Sequence, residues 1–199
     1  MSTPTTTQSP GSARQRLLDA ADELFYGQGI NATGVDAIVE RAEVAIATLY
    51  NQFGGKDRLV AAYLDERHRR WCRDWEAAIA AADDPIERVL AIFDALRGWW
   101  EAGALQRGCA HVDAVAEIAD AHHPAALAAA RHKAELRHRL TELVAATEVA
   151  DPTGTAADLV ILYEGALSAL LLDLVPDPCA RARRLGAALL APPQRADDP

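Results

Sequence analysis

The stretch Val44-Ala45-Ile46-Ala47-Thr48-Leu49-Tyr50-Asn51-Gln52-Phe53-Gly54-Gly55-Lys56 sets two large apolar residues, Leu49 and Phe53, four positions apart with hydroxyls and amides between them. Residues at that spacing share one face of a helix. The stretch therefore predicts a short helix over about 45–52, with Leu49 and Phe53 turned inward, ended by Gly54-Gly55 just before a new helix at Lys56. Immediately upstream, Thr33 with Asp36 three residues on can cap a second short helix whose inward residues are Val35, Ile38 and Val39. It should stop near Ala42, leaving a tight break at Glu43-Val44. Further back, Ser12-Ala13-Arg14-Gln15 matches a capping box, and Leu17, Leu18, Ala21, Leu24 and Phe25 form one apolar stripe ending at Gly27 and Gly29.

Downstream, a long helix is predicted from Lys56 to about Ala82, closed at Asp83-Asp84-Pro85; its length suggests a strut between two domains. Ile86, Val89, Leu90, Phe93 and Leu96 make a further stripe that runs into Trp99-Trp100. Gly103 and Gly108 bracket a short segment before a helix over about 109–119. His123-Pro124 precedes a helix to about 147, with Leu136, Leu140, Leu143 and Val144 inward, and Asp151-Pro152-Thr153-Gly154 breaks it. Two more helices are expected over about 155–174 and 178–190. Strand signals are almost absent, so the fold class is all-α.

Bulk properties bound the function. The 199 residues are half apolar, enough for a substantial core, and carry 29 acidic against 20 Lys and Arg residues, a formal charge of −9. Three scattered cysteines, Cys72, Cys109 and Cys179, form no CxxC, so neither a disulfide framework nor a zinc motif is suggested. The first residues lack the basic and apolar regions of a signal peptide. The longest apolar run, near 159–174, is interrupted by Glu164 and Asp173 and reads as too short to span a bilayer. A soluble cytoplasmic protein without membrane, cofactor or metal is expected.

Three short helices within about fifty residues, the last two joined by a tight turn, meet the geometric requirement for presenting one helix to a DNA major groove. On spacing alone a plain helical bundle fits as well. The residues go further: the run from Ala13 to Leu64 resembles the N-terminal domain of the tetracycline-repressor (TetR) family, through Val44 followed at fixed offsets by Thr48-Leu49-Tyr50, Phe53, Lys56 and Leu59. A weaker similarity covers Arg107-Gly108-Cys109, Val112-Asp113-Ala114 and Glu117. The resemblance implies a helix-turn-helix DNA-binding domain, a connecting helix, and a helical C-terminal domain that binds a small-molecule effector and dimerises through its last two long helices. The expected organisation is a leader 1–11, a DNA-binding domain 12–55, an effector-binding and dimerisation domain 56–191 beginning with the connecting helix 56–83, and a frayed tail 192–199.

The pattern departs from the usual one at Glu43, Ala45, Ala47 and Gln52. Glu43 stands where glycine is common, so it should adopt a left-handed conformation at a cost on the order of 1 kcal/mol. Tyr50, Thr48 and Lys56 suit phosphate oxygens, and Lys56 adds charge at a helix N-terminus. Asn51, Gln52 and Ile46 are the candidates for base edges; Thr33 either caps or contacts phosphate. Through Leu64 there are five basic and seven acidic residues. DNA affinity must then come from placement of a few groups and from a dimer that doubles the contacts, not from an overall basic field.

In the C-terminal half, the helix over 155–174 is apolar on more than one face. It belongs either against a second copy or at the centre of a large monomeric bundle. The candidate dimer residues are Leu162, Ala166, Leu167, Leu170, Leu171, Leu185 and Leu189. Phe93, Trp99, Trp100, Cys109, His111, Val112 and Tyr163 are candidates for a mostly apolar effector pocket. The run Arg131 to Arg139 reads as a solvated helix face. Neither His111 with Asp113 nor His122-His123 has convincing metal-ligand spacing, and no catalytic motif is present. The expected function is a ligand-responsive transcriptional regulator, a homodimeric repressor on palindromic operator DNA. The alternative is a helical effector-binding or protein-interaction module without regulated DNA binding.

Overall fold

A computed structural model describes residues 11–191, which contain nine α-helices and no strand. In chain order they are α1 Ala13–Gln28, α2 Val35–Arg41, α3 Ile46–Phe53, α4 Lys56–Ala80, α5 Pro85–Glu101, α6 Ala110–Glu117, α7 Pro124–Ala145, α8 Pro152–Leu171 and α9 Pro178–Leu190. The expected leader and tail, apart from residue 11, lie outside the described residues.

Side-chain caps explain most of the starts. Ser12 Oγ accepts from the Gln15 amide at 3.2 Å to open α1. Four later helices share one device, a capping residue followed by proline at the first helical position: Asp84-Pro85, His123-Pro124, Asp151-Pro152 and Asp177-Pro178. Proline lacks an N–H that would be unpaired there anyway, and its φ suits the first turn. This moves one boundary: α8 starts at Pro152, three residues before the expected Thr155, because Asp151-Pro152 nucleates that helix as well as ending the previous stretch.

Two hydrophobic cores lie along α4. The first gathers Leu17, Leu18, Leu24, Phe25, Ile38, Leu49 and Phe53 around Leu59, Val60, Tyr63 and Leu64. The second surrounds Trp71, Trp75 and Ile79 with residues of α5, α7, α8 and α9. Burial of a side chain such as Leu49 or Ile38, both 0% exposed, contributes about 1.5–3 kcal/mol. The first core does not stop at the end of α3. Ala110 and Ala114 of α6 and Ala125 and Ala128 of α7 are part of it, so these helices rest directly on the N-terminal bundle.

The turn between α2 and α3 has the left-handed residue that the sequence requires: Glu43 sits at φ 52°. The second helix is not capped as expected. Its N-cap is Gly34, and Thr33 is buried at 1% exposure with its hydroxyl on the carbonyls of Gly29 (2.7 Å) and Leu24 (3.2 Å). Thr33 therefore ties the α1–α2 loop to the end of α1; the expected cap is absent, and its hydroxyl is not available to a phosphate.

Candidate nucleic-acid interface and effector region

Leu49 and Phe53 hold α3 to the core and leave Ile46, Ala47, Tyr50, Asn51 and Gln52 exposed on the opposite side. Ile46 is 47% and Tyr50 51% exposed, so a large aliphatic and a large aromatic side chain face outward beside two free amides. Thr48 is half-buried at the edge of this face. No side chain caps α3, whose N-cap is Ala45, and none caps α4, whose N-cap is Gly55. The first amides of both helices thus remain available to an outside acceptor, and helix N-termini favour anions. A left-handed Gly54, φ 77°, ends α3 and lets α4 begin at once. Tyr50 Cε1 lies 3.9 Å from where a Cβ on Gly55 would stand, so the tyrosine ring and the start of α4 with Lys56 front one surface. That surface combines a positive helix end, an aromatic hydroxyl, a lysine and two amides, the groups that bind phosphates and base edges.

Residues 17–63 match the family described as bacterial regulatory proteins, tetR family, and residues 85–185 match the tetracyclin repressor-like C-terminal domain. A solved TetR-family transcriptional regulator from Streptomyces coelicolor is 33% identical, with a TM-score of 0.75 over 89% of this chain and 92% of that one. The chain belongs to the TetR family. The HTH-type transcriptional regulator BetI of Brucella canis is 38% identical over 79 residues, a match spanning 40% of each chain. The reduced form of Escherichia coli NemR, 20% identical, shares the fold at a TM-score of 0.74 over 92% of this chain and all of that one. The protein is therefore a TetR-family transcriptional regulator with a helix-turn-helix DNA-binding domain and a helical C-terminal domain.

In this TetR-family chain the two parts are joined by polar bonds that no single-helix pattern reveals. Glu117, at the end of α6, accepts from the Ile30 amide at 3.1 Å and the Asn31 amide at 2.8 Å, and Asn31 Nδ2 donates to the Glu117 carbonyl. Tyr26 donates to the Gly108 carbonyl at 3.0 Å and accepts from the Arg107 amide, whose side chain donates to the Gly27 carbonyl. Arg67 of α4, 5% exposed, pairs with Asp22 of α1 at 2.9 Å and donates to the Ala104 carbonyl at 2.6 Å. Arg70 reaches the other Asp22 oxygen at 2.5 Å. The sequence reading missed Arg67; its one trace was a cation at an otherwise apolar α4 position, two helical turns past Val60.

The seven expected pocket residues do not line one cavity. Phe93 and Tyr163 are packed in the second core at 0% and 3% exposure. Trp99 and Trp100 are consecutive, hence about 100° apart on the helix, and face different clefts. Val112 is 48% exposed and lies with His111 on an α6–α7 surface groove. Of the seven, Trp99 alone lines a cleft of about 500 Å³ between α4 and α5, with Arg67, Arg70, Asp74 and a wall of alanines from α4, α5 and the following loop. Cys109, at the edge of the second core, and His111 are buried beside His132. The imidazoles of His111 and His132 stack at 3.9 Å and 11°. Burial, with Lys133 and His68 nearby, pushes His111 down to about 3; burial, with His111 and Lys133, pushes His132 down to about 2. His132 thus departs from the solvated face expected for 131–139.

The dimer candidates divide as well. Ala166 and Leu167 are buried in the chain's own second core, and Leu162 and Leu170 pack partly against it, so these four are largely committed within the chain. Leu171, Leu185 and Leu189 are 41%, 51% and 40% exposed, and Ile161, Leu172 and Leu174 join them at 69%, 61% and 61%. Against expectation, α8 is long and apolar enough to cross a membrane. It packs on α7 and α9, and its Glu164 forms a 2.5 Å ion pair with Lys133.

Proposed function

We propose that the chain is a cytoplasmic, homodimeric, effector-responsive transcriptional repressor that binds palindromic operator DNA. The observation that carries this reading is the uncommitted face of α3 beside the uncapped start of α4, where Tyr50, Asn51, Gln52 and Lys56 front one surface. Tyr50, Thr48 and Lys56 serve the phosphates; Asn51, Gln52 and Ile46 read base edges. The exposed leucines of α8 and α9 support pairing with a second copy, since an apolar face of this kind is ordinarily covered. Two copies also supply the phosphate contacts that one acidic chain lacks.

The effector site is the α4–α5 cleft. Its aromatic and alanine walls suit an apolar body, and Arg70 Nε, buried without a hydrogen-bond partner, suits an anionic group. An effector carboxylate competing for Arg70 loosens Asp22, and with it α1, from α4. Couplings of about 1–3 kcal/mol are typical of such switches.

Gel-shift against the DNA upstream of the chain's own gene, across a salt series, tests the reading. Saturable, sequence-dependent binding with a steep salt dependence is expected. Equal binding to random duplex would overturn it in favour of a helical module without regulated DNA binding. Tyr50→Ala and Lys56→Ala should weaken binding to every sequence alike.

A further inference from the structure

The fold brings Cys109, the N-cap of α6, His111 two residues on and His132 of α7 together, all three buried, with one ligand atom of each within 4.8 Å of the others. Their hydrogen bonds define which atoms are free. The His111 Nε2–H donates to the Leu64 carbonyl at 3.2 Å, because a carbonyl can only accept, and this leaves Nδ1 with its lone pair. His68 Nε2 donates to the Glu135 carboxylate at 2.7 Å, so in neutral His68 the other nitrogen accepts from His132 Nδ1 at 2.9 Å. His132 Nε2 is then unprotonated. Both imidazoles have the outer-shell partners that orient metal-binding histidines, a backbone carbonyl for one and a carboxylate relay for the other.

We propose that Cys109, His111 and His132 bind a borderline-soft divalent transition-metal ion of the zinc class. Two imidazoles and a thiolate are a donor set that such ions prefer over magnesium or calcium. On binding, the thiol gives its proton to solvent and the sulfur becomes the third protein ligand, with water completing the tetrahedron. Zinc bonds of about 2.0 Å to nitrogen and 2.3 Å to sulfur place ligand atoms about 3.3–3.6 Å apart. Closing the cluster from separations of up to 4.8 Å therefore takes up to about 1.5 Å of approach between ligand atoms, and one imidazole must turn out of the stack so that both lone pairs point at the ion. The site stands on its own donor atoms and needs no DNA.

Co²⁺ titrated into reduced, chelator-stripped full-length protein tests it. A thiolate-to-cobalt charge-transfer band saturating at one equivalent, with visible bands of tetrahedral intensity and displacement by Zn²⁺, is expected. Cys109→Ser should abolish the charge-transfer band, and Glu135→Gln should weaken Zn²⁺ binding about 10-fold by removing the relay. Helical circular dichroism reports whether each variant folds. Should a variant not fold, the unaltered protein still decides, since Zn²⁺ must raise its Tm. No charge-transfer band, a band that survives in folded Cys109→Ser, or a Tm indifferent to Zn²⁺ overturns the proposal.

Discussion

On α3, Tyr50, Asn51 and Gln52 stand exposed, whereas at the junction Asp22, Arg67, Asn31 and Glu117 are bonded to one another across the two parts of the chain. Both regions are polar and lie against the same hydrophobic core. The difference is commitment. Groups already paired inside the chain stabilise it, while groups left unpaired are free for a partner. Changes at the junction should therefore alter stability, and changes on α3 should alter binding alone.

The largest expected effect is at Arg67. Removing it in Arg67→Ala leaves Asp22 with only Arg70 and the Ala104 carbonyl without its donor, and should lower unfolding free energy by about 3–5 kcal/mol in denaturant titrations. A loss below 1 kcal/mol would break the contrast between the regions.

Acid comes next. His111 and His132 ordinarily titrate near 6.5, and burial holds both well below that in the folded, metal-free protein. The unfolded chain therefore takes up protons first as pH falls. Stability is complete above about pH 6.5 and is lost as pH drops toward 3, at up to about 1.4 kcal/mol per pH unit for each imidazole. Thermal melts between pH 7 and 5 read this directly, and a flat Tm would contradict it.

Glu117→Ala should cost about 1–3 kcal/mol, because the amide of buried Ile30 loses its acceptor. Hydrogen exchange at Ile30 and Asn31 should quicken in the same variant. Glu43→Gly should raise stability by up to about 1 kcal/mol, since glycine meets no Cβ penalty at φ 52°. On α3, Asn51→Ala should change stability by less than about 0.5 kcal/mol while weakening operator binding in a gel-shift. A large stability loss there would show that the face is not free.

Most of the helices were legible because apolar residues recur at helical spacing, as with Leu17, Leu24 and Phe25 or Leu49 and Phe53. Pro152 misled, since proline stops a helix in its interior but starts one at its first position. Thr33 was ambiguous for a similar reason: a hydroxyl near a helix start can cap, face solvent or turn back, and the end of α1 chose the last. The pocket candidates failed because aromatic side chains on α5 look alike in sequence whether they fill the core, as Phe93 does, or edge a cleft, as Trp99 does.

By itself the sequence determined, in outline, the helix pattern of the described residues and the outward face of α3, because each depends on spacing within a single turn or two of chain; the helix-turn-helix came from the resemblance carried by Val44, Thr48-Leu49-Tyr50, Phe53, Lys56 and Leu59. Only the tertiary structure decided that Asp22 meets Arg67, that Glu117 clasps the Ile30 and Asn31 amides, and that Cys109, His111 and His132 share one buried centre. Those meetings depend on how α1, α4, α6 and α7 cross, and crossing is settled by packing between helices distant in the chain, which no local periodicity encodes.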